Sequence, residues 1–238
     1  MRQVPRYLII GNGRVARHFA YYFILLHIPF VQWHRSMPIE ELQSTLPHVT
    51  HVLLLIRDDA IESFAYTHLI GCTATLVHFS GSLVIDTVYG AHPLMSFGPA
   101  LYSLEEYQTI PFVIDATAPS FETLLPGLVN QSVRLAAEKK AKYHALCVLS
   151  GNFSCLLWQK IFADFEKEFN IPSSVVHPYL KKQMHNIMLD YQKALTGPLV
   201  RNDKNTIDRN LVALENDPYQ KLYQAFVDCY EELTHEYL

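Results

Sequence analysis

The sequence predicts an α/β fold in which a doubly wound parallel sheet is followed by an all-α helical domain. Over residues 6–136, short apolar segments alternate with amphipathic segments, which is typical of strands joined by crossover helices. The stretch 137–170 contains no proline and repeats apolar residues with a helical period. We therefore divide the 238 residues into domains 1–136 and 137–238.

Six segments of the first domain are predicted to be strands, because they are apolar runs bounded by turn residues. The run at 51–56 is apolar almost throughout, as in a parallel strand buried on both faces. The predicted strands are 6–11, 29–34, 51–56, 74–79, 111–116 and 132–136. The helices predicted between them are 14–27, 39–46, 60–69 and one near 119–130.

The second domain is predicted to be helical. A helix over 137–170 would be about 45–50 Å long at 1.5 Å per residue, so we expect a kink near Gly151 or contact with a partner subunit. Further helices are predicted near 173–194, 206–215 and 218–236, with a break at Gly197-Pro198. The long apolar helix and the aromatic-rich tail favour a homodimer, although the tail can equally be an internal helix.

Composition argues against several function classes. The net charge of −4 gives no reason to expect nucleic acid, which usually binds a basic face. The four cysteines lack C-x-x-C spacing, which favours reduced thiols over a disulfide or metal role. We see no secretory signal and no window near the roughly 18 uninterrupted apolar residues of a membrane span. We therefore expect a cytoplasmic protein without nucleic-acid or membrane partners.

A glycine-rich turn follows the first predicted strand. Gly11, Gly13 and Ala16 form a G-x-G-x-x-A pattern in which the residues permit, in turn, a tight turn, close approach of a pyrophosphate and close helix–strand packing. The backbone N–H groups there would face the phosphates. The candidate cofactor site therefore comprises Gly11, Asn12, Gly13, Arg14, Val15 and Ala16. The alternative is a Rossmann-like fold whose site stays empty.

The end of the second strand favours NADP over NAD. NAD-specific sites place Asp or Glu there to bond the ribose 2′-hydroxyl, but no carboxylate appears before Glu40. Arg35 supplies a guanidinium that can bind a 2′-phosphate, and Ser36 adds a hydroxyl beside it. His34 is either a further contact or a surface histidine with no role. We therefore predict NADP as the cofactor.

Polar residues also follow the third and fourth strands, at the sheet edge where ligands bind in such folds. The further cofactor candidates there are Ile56, Arg57, Asp58 and Ser80. One of Asp58 and Asp59 is expected to cap the next helix, and His92, in a predicted loop, is a candidate substrate residue. His34, His78 and His92 lack supporting carboxylate or thiol spacing, so we predict no metal site.

Seven motifs, taken in order, resemble a known family. They are IIGNGRVA, WHRS, LLLIRDDAI, VHFSGSL, HPLMSF, YHALCVLSGNF and LTGPLVRNDKNTI, spread over residues 6–215. The chain resembles Rossmann-like proteins with an uncharacterised helical C-terminal domain, which are relatives of the 3-hydroxyacid dehydrogenase, ketopantoate reductase and pyrroline-5-carboxylate reductase superfamily. The resemblance implies NADP binding by the first domain and a helical second domain that commonly dimerises. It implies no particular substrate.

The resemblance also identifies family positions in the helical domain. On the long helix these are Tyr143, His144 and Asn152. In the late motif they are Gly197, Pro198, Arg201, Asp203 and Thr206. The chain departs from the family at Asn202, Asn210 and Arg57, where glycine, histidine and proline are usual. The altered late loop weakens the case for substrate chemistry there.

His144 and Asn152 are the candidate catalytic residues. Many dehydrogenases of the superfamily use a lysine one helical turn before an asparagine to donate a proton, but Val148 stands at that position. His144 lies one turn further back on the same drifting helical stripe, and it can replace the lysine as the acid. Alternatively, His144 and Asn152 only satisfy hydrogen-bonding neighbours within a helix bundle.

Arg201 and Asp203 are candidate substrate residues, because a guanidinium can bind a carboxylate through two hydrogen bonds. The alternative is a loop pair between them, with Asn205 or Thr206 capping the next helix. The sequence thus predicts an NADP-dependent oxidoreductase that transfers a hydride to or from a small carbonyl, imine or hydroxy acid. A non-catalytic NADP-binding regulatory or scaffold protein, favoured by Val148, is the alternative, and a dimerisation protein with an empty site is a third.

Overall fold

The computed structural model describes residues 5–235 and contains one seven-stranded sheet flanked by helices. The strands are β1 (Tyr7–Ile10), β2 (Phe30–Trp33), β3 (His51–Leu54), β4 (Thr75–His78), β5 (Tyr89–Pro93), β6 (Phe112–Asp115) and β7 (Ser132–Leu135). The helices among them are α1 (Arg14–Leu25), α2 (Ile39–Thr45), α3 (Asp58–His68), α4 (Leu104–Thr109) and α5 (Phe121–Leu124). After the sheet follow α6 (Ala137–Cys147), α7 (Ser154–Lys167), α8 (His177–Leu189), α9 (Lys204–Ala213) and α10 (Tyr219–His235).

The strands lie in the order β2-β1-β3-β4-β5-β6-β7. Neighbouring strands are parallel except β5 and β6, which are antiparallel. The chain leaves β1 towards β2 on one side and then continues to β3 on the other side. The carboxyl ends of β1 and β3 therefore form the point at which the topology reverses, which is where open α/β sheets bind ligands.

The sheet is buried on both faces. Alternate residues of β1 and β3 point to opposite sides, so Ile9 and Leu53 pack with one core and Leu8 and Val52 with the other. Phe19 and Phe23 of α1 join the first core, which also receives residues of α4 and α5. The second core is closed by α2 and α3. This arrangement confirms the predicted doubly wound α/β fold.

All six predicted strands are present, but β5 and α4 were missed. The segment Tyr89–Pro93 reads YGAHP, and its glycine, its proline and its lack of β-branched residues are typical of a loop. The prediction that His92 lies in a loop is therefore wrong. The sheet is parallel as predicted except at one pair, since β5 pairs antiparallel with β6. The helix expected near 119–130 shortens to Phe121–Leu124.

The long helix of the second half is interrupted near its centre. The segment Val148–Phe153 is π-helical and joins α6 to α7, so the expected irregularity near Gly151 takes the form of a π-helical turn. The whole helix Ala137–Lys167 has 31 residues and a mean hydropathy of 1.2 over its most apolar window. Its length and composition suit a membrane span, but an apolar helix of a soluble protein meets the same test, so the indication is weak.

The chain divides into two compact units, Met1–Leu156 and Leu157–Leu238. The division lies beyond the domain boundary expected at residue 136, because the first turns of α6 pack on the sheet through Lys140 and Tyr143. The domain boundary at residue 136 stays a prediction from the sequence.

In the second unit, Lys160 forms ion pairs with Asp164 (2.7 Å) and with Asp217. A mainly apolar cavity of about 420 Å³ lies between α7, α9 and α10.

Candidate functional site

The glycine turn after β1 lies where β1 and β3 are adjacent. Gly11 has a φ of +127°, in a region that side chains with a Cβ rarely adopt. A Cβ at Gly11 would also overlap the carbonyl oxygen of Leu55, the residue after β3. Gln32 of β2 donates a hydrogen bond of 2.8 Å to the Gly11 carbonyl. Glycine is therefore required here by both backbone conformation and packing.

The N-terminus of α1 is open to a ligand. Gly13 is its N-cap, no side chain caps the helix, and no acidic residue occurs in its first turn. A Cβ built on Gly13 would have no atom within 4 Å. Ala16 is fully buried where the helix meets the sheet. The first N–H groups of the helix thus have no side-chain cap, as in the helix N-termini that bind phosphate in many proteins.

Arg35 and Ser36 follow β2 and are both exposed. Within residues 5–235, neither side chain makes a hydrogen bond or ion pair with another residue. The Arg35 guanidinium is therefore not held by the chain itself. Its role in recognising a 2′-phosphate stays a prediction.

The expectation that Asp58 or Asp59 caps α3 is wrong. Arg57 is the N-cap, and no side chain bonds the free N–H groups of the helix. The reason is that each carboxylate has another partner: Asp59 pairs with Arg57, and Asp58 accepts a hydrogen bond from the Ser80 hydroxyl. Both acids still lie in the first turn of α3, where negative charge is favourable.

Ser80 organises the loop that follows β4. Its hydroxyl donates to Asp58 and accepts from the backbone N–H groups of Ser82 (3.2 Å) and Leu83 (3.1 Å). Its own N–H donates to His78 Nδ1 at 3.2 Å. These contacts connect the carboxyl ends of β3 and β4, two of the strand ends predicted to contact the cofactor.

His78 is a buried histidine at the end of β4. Its Nε2 has no hydrogen-bond partner among the described residues. Burial lowers the pKa of His78 from 6.5 to about 4, and the nearby Lys140 ammonium acts in the same direction. The imidazole is therefore neutral near pH 7, with one polar atom left available inside the protein.

A buried ion pair lies beside His78 and was missed by the sequence reasoning. Lys140 of α6 binds Asp115 at the end of β6, with 2.6 Å between Nζ and Oδ1, and the two side chains are 6% and 16% exposed. The other oxygen of Asp115 accepts from the Gly90 N–H. A Cβ at Gly90 would displace both charged groups. The one signal in the sequence is the aspartate that ends the apolar run FVID.

His92, Tyr143 and His144 form a second cluster next to this ion pair. His92 Nδ1 lies 2.8 Å from the Tyr143 hydroxyl, and the His92 and His144 rings meet edge to face with 5.6 Å between centroids. Burial lowers the pKa of His92 to about 4, with His144 as the next cause. Burial is the largest cause that raises the pKa of Tyr143, and the charge and hydrogen bond of Cys147 raise it further. At neutral pH, Tyr143 is a phenol and His92 is uncharged.

The His144 imidazole packs directly on Gly81. A Cβ at Gly81 would overlap the ring at Nδ1, and this buried nitrogen has no partner among the described residues. At Nδ1, the structure therefore contradicts the alternative in which neighbouring residues form hydrogen bonds with His144. Asn152 is exposed within the π-helical turn. The i→i+5 hydrogen bonds of this turn change the angle between successive residues, so positions 144, 148 and 152 no longer have the α-helical spacing that predicted one stripe.

Arg201 and Asp203 belong to the second unit. Asp203 caps α9, because its carboxylate accepts from the N–H (3.1 Å) and the hydroxyl (2.8 Å) of Thr206. The predicted alternative is therefore wrong about the cap, which is Asp203 and not Asn205 or Thr206. Arg201 is exposed, and its role as a substrate residue stays a prediction.

No set of three or more histidine, cysteine, aspartate or glutamate side chains within residues 5–235 is placed to hold a metal ion. All four cysteines are free thiols.

Comparison with known proteins agrees with the predicted resemblance. The model of a family described as "Domain of unknown function (DUF2520)" matches residues 110–229. No curated protein sequence matches the chain significantly.

Three solved structures share the fold over nearly the whole chain. BF3122 of Bacteroides fragilis, provisionally an NADP oxidoreductase, is 22% identical with a TM-score of 0.74, covering 96% of this chain and 98% of its own. Protein TM1727 of Thermotoga maritima is 20% identical with a TM-score of 0.64, covering 97% and 98%. Pyrroline carboxylate reductase of Plasmodium falciparum, with NADP bound, is 12% identical with a TM-score of 0.56, covering 96% and 97%. At these identities the likeness establishes the fold.

Proposed function

Because this chain belongs to the family of proteins that carry the domain of unknown function DUF2520, we propose that it is an NADP-dependent oxidoreductase that transfers a hydride to or from a small carbonyl, imine or hydroxy acid. One observation carries the proposal. The uncapped N-terminus of α1 and the glycine turn lie at the β1/β3 reversal, and a cluster of buried and half-buried neutral proton-bearing groups lies at the end of β4 and just beyond it.

The residues at this edge fit a dinucleotide. The open N–H groups from Gly13 to Ala16 would hold the pyrophosphate, and Arg35 with Ser36 would bind a 2′-phosphate. Ile56, Arg57, Asp58 and Ser80 follow β3 and β4 and would contact the nicotinamide half of the cofactor. The bound nicotinamide would supply or accept the hydride. The similarity to structures that contain NADP supports this assignment.

Four residues are proposed to act on the substrate. His144 and Asn152 are the proposed catalytic residues, and His92 a proposed substrate contact. The contact between the His92 and His144 rings supports placing these two residues at one site. Arg201 is kept as a substrate residue, whereas Asp203 is already engaged as a helix cap.

We propose that the protein is a cytoplasmic homodimer. Several large apolar side chains around the π-helical turn are about half exposed, namely Leu146, Leu149, Phe153 and Leu156. A row of this kind is more apolar than the surface of a monomer usually is. The four free thiols agree with a reducing compartment.

Calorimetric titration of NADPH and NADH tests the cofactor assignment. Wild-type protein should bind NADPH more tightly, and Arg35→Ala should weaken NADPH binding by about 10–100-fold, because a hydrogen bond to a charged group contributes about 1.5–3 kcal/mol. NADH binding should stay unchanged. Arg6→Ala is the matched control, since Arg6 lies at the opposite edge of the sheet, before β1. Equal or tighter binding of NADH by the wild type would contradict the role given to Arg35.

A non-catalytic NADP-binding protein is the second candidate, and Val148 favours it. Valine has no proton to donate at the position where related dehydrogenases carry a lysine. NADPH oxidation separates the two candidates, measured with a panel of 2-oxo acids, small ketones and aldehydes, and cyclic imines. Tight NADPH binding without turnover of any of these compounds would favour the regulatory protein.

A further inference from the structure

We propose that Tyr143 is the catalytic proton donor of this site and that His92 positions it and returns its proton. This proposal rests on the proposed oxidoreductase function and deepens it, because it gives the proton-donor role to the phenol of Tyr143 and leaves the neighbouring His144 as a residue that lines the same site. The observation that carries it is the 2.8 Å hydrogen bond between Tyr143 Oη and His92 Nδ1.

The pair lies in the part of the sheet that a substrate would meet. Gly90 is level with His78, the last residue of β4, so His92 lies two residues beyond the end of β4. Residues two apart in a strand point to the same face, so His92 points to the face on which Gly90 meets Lys140. Tyr143 lies one helical turn after Lys140 and reaches His92 from that face. Both side chains are half-buried, so they are neither sealed in the core nor fully hydrated.

The hydrogen bond can serve catalysis in one tautomer of His92. A neutral imidazole carries its proton on one nitrogen only. When the proton is on Nδ1, His92 donates to the Tyr143 oxygen, and the hydroxyl hydrogen of Tyr143 is free to point at a substrate oxygen. The Cys147 thiol near the phenol is a weak acceptor and competes poorly for that hydrogen. We assign the Nδ1–H tautomer to His92 on this basis.

The reaction balances with these two groups. In the reductive direction, a bound reduced nicotinamide would supply the hydride to the carbonyl carbon. The carbonyl oxygen would take the proton of Tyr143 to become a hydroxyl. The tyrosinate is then stabilised by the His92 Nδ1–H bond. It takes that proton as solvent protonates Nε2, so the ring stays neutral and is left as the Nε2–H tautomer. Exchange with solvent returns His92 to the Nδ1–H tautomer. The net reaction consumes one hydride and one solvent proton for each carbonyl reduced.

Other groups of the cluster are less suited to the donor role. The Lys140 ammonium is held by Asp115, and the Nδ1 of His144 faces Gly81 in a buried position. Burial raises the pKa of Tyr143, which keeps it protonated at neutral pH, so the donor form is the resting form. His144 then closes one side of the cluster through its edge-to-face contact with His92.

Substitutions test the catalytic part, using the compound of the panel above on which wild type oxidises NADPH fastest. Tyr143→Phe should lower kcat by about a hundredfold or more, in the range expected for loss of a general acid, with little change in KM and unchanged NADPH binding by calorimetry. Tyr66→Phe, on the exposed face of α3, is the matched control and should leave kcat unchanged. His92→Asn can still donate to the phenol, so it should lower kcat less than His92→Leu. Wild-type kcat in Tyr143→Phe would overturn the proposal.

A measurement without substrate decides the tautomer. Nitrogen NMR of the full-length protein with ¹⁵N-labelled histidine, assigned with His92→Asn, should show a protonated Nδ1 at His92 and a shift of that signal in Tyr143→Phe. A bare Nδ1 that accepts from the phenol would overturn the proposal. Failure of the proposed function would show differently, as absent NADPH binding, while the tautomer measurement would still decide the assignment of the pair.

Discussion

Acidification from pH 7 to pH 5 should strongly destabilise this protein, and two buried histidines are the reason. His78 and His92 each have a pKa near 4, against an ordinary value of 6.5, because burial disfavours the charged imidazolium. Between these values the unfolded chain binds more protons than the folded one, so stability falls as pH falls. The stability that depends on keeping these two histidines neutral is fully present above about pH 6.5 and is lost progressively as pH approaches 4.

The magnitude follows from the two pKa values. For one histidine whose pKa falls from 6.5 to about 4 on folding, the linkage relation gives a loss of about 2 kcal/mol between pH 7 and pH 5. His78 and His92 together then cost about 4 kcal/mol, a large fraction of the stability of an ordinary domain. Burial lowers the pKa of His51 as well, which acts in the same direction.

Urea unfolding followed by circular dichroism at pH 5, 6 and 7 measures this loss. His78→Asn should remove about half of the pH dependence, because the asparagine oxygen can still accept from the Ser80 N–H but does not titrate. Val77→Ala, one residue earlier and fully buried, is the control and should lower stability equally at all three pH values. If His78→Asn unfolded with the same pH dependence as wild type, the reasoning from burial would fail.

Two further predictions concern packing around α6. Gly81→Ala should destabilise the fold by about 1–3 kcal/mol in thermal unfolding, because the new methyl group must displace the His144 ring; Gly98→Ala, whose Cβ meets only an ordinary contact at 3.8 Å, should have a smaller effect. Lys140→Met should cost about 3–5 kcal/mol, because Asp115 keeps a buried charge without a partner. Adding Asp115→Asn should restore part of that loss in urea unfolding, and equal stability of the single and double variants would argue against this account.

The sequence was sufficient wherever one segment determines its own structure. The strands β1 and β3 are apolar in nearly every residue and fully buried, so their existence and parallel neighbours could be predicted from composition alone. The glycine turn was predictable for the same reason, because the conformation of Gly11 and the helix that follows depend on a few adjacent residues. Strand β5 was not predictable, since its residues carry no strand signal and its pairing partners hold it in place.

The polar cluster could be predicted only in part. His92, Tyr143 and His144 were recognised as individual residues, but nothing local showed that Tyr143 bonds to His92 across 51 positions. The pair of Asp115 and Lys140 was missed for the same reason. Capping of α3 was wrongly predicted because the competing partner of Asp58 is Ser80, which lies 22 positions away. These contacts are set by strand register, which the sequence pattern does not specify.

The reversal between β5 and β6 explains how α6 comes to lie at this site. Because Gly90 at the start of β5 is level with the end of β4, the antiparallel β6 ends at that same level, where Asp115 meets Gly90. Strand β7 ends beside it, with Leu135 level with Asp115. Helix α6 therefore begins next to the carboxyl end of β4 and turns back along β5, so that its side chains meet Asp115 first and His92 one helical turn later. A sheet without this offset would end β7 at the opposite edge, and the phenol of α6 would lie far from the carboxyl end of β4 and from the cofactor site proposed there.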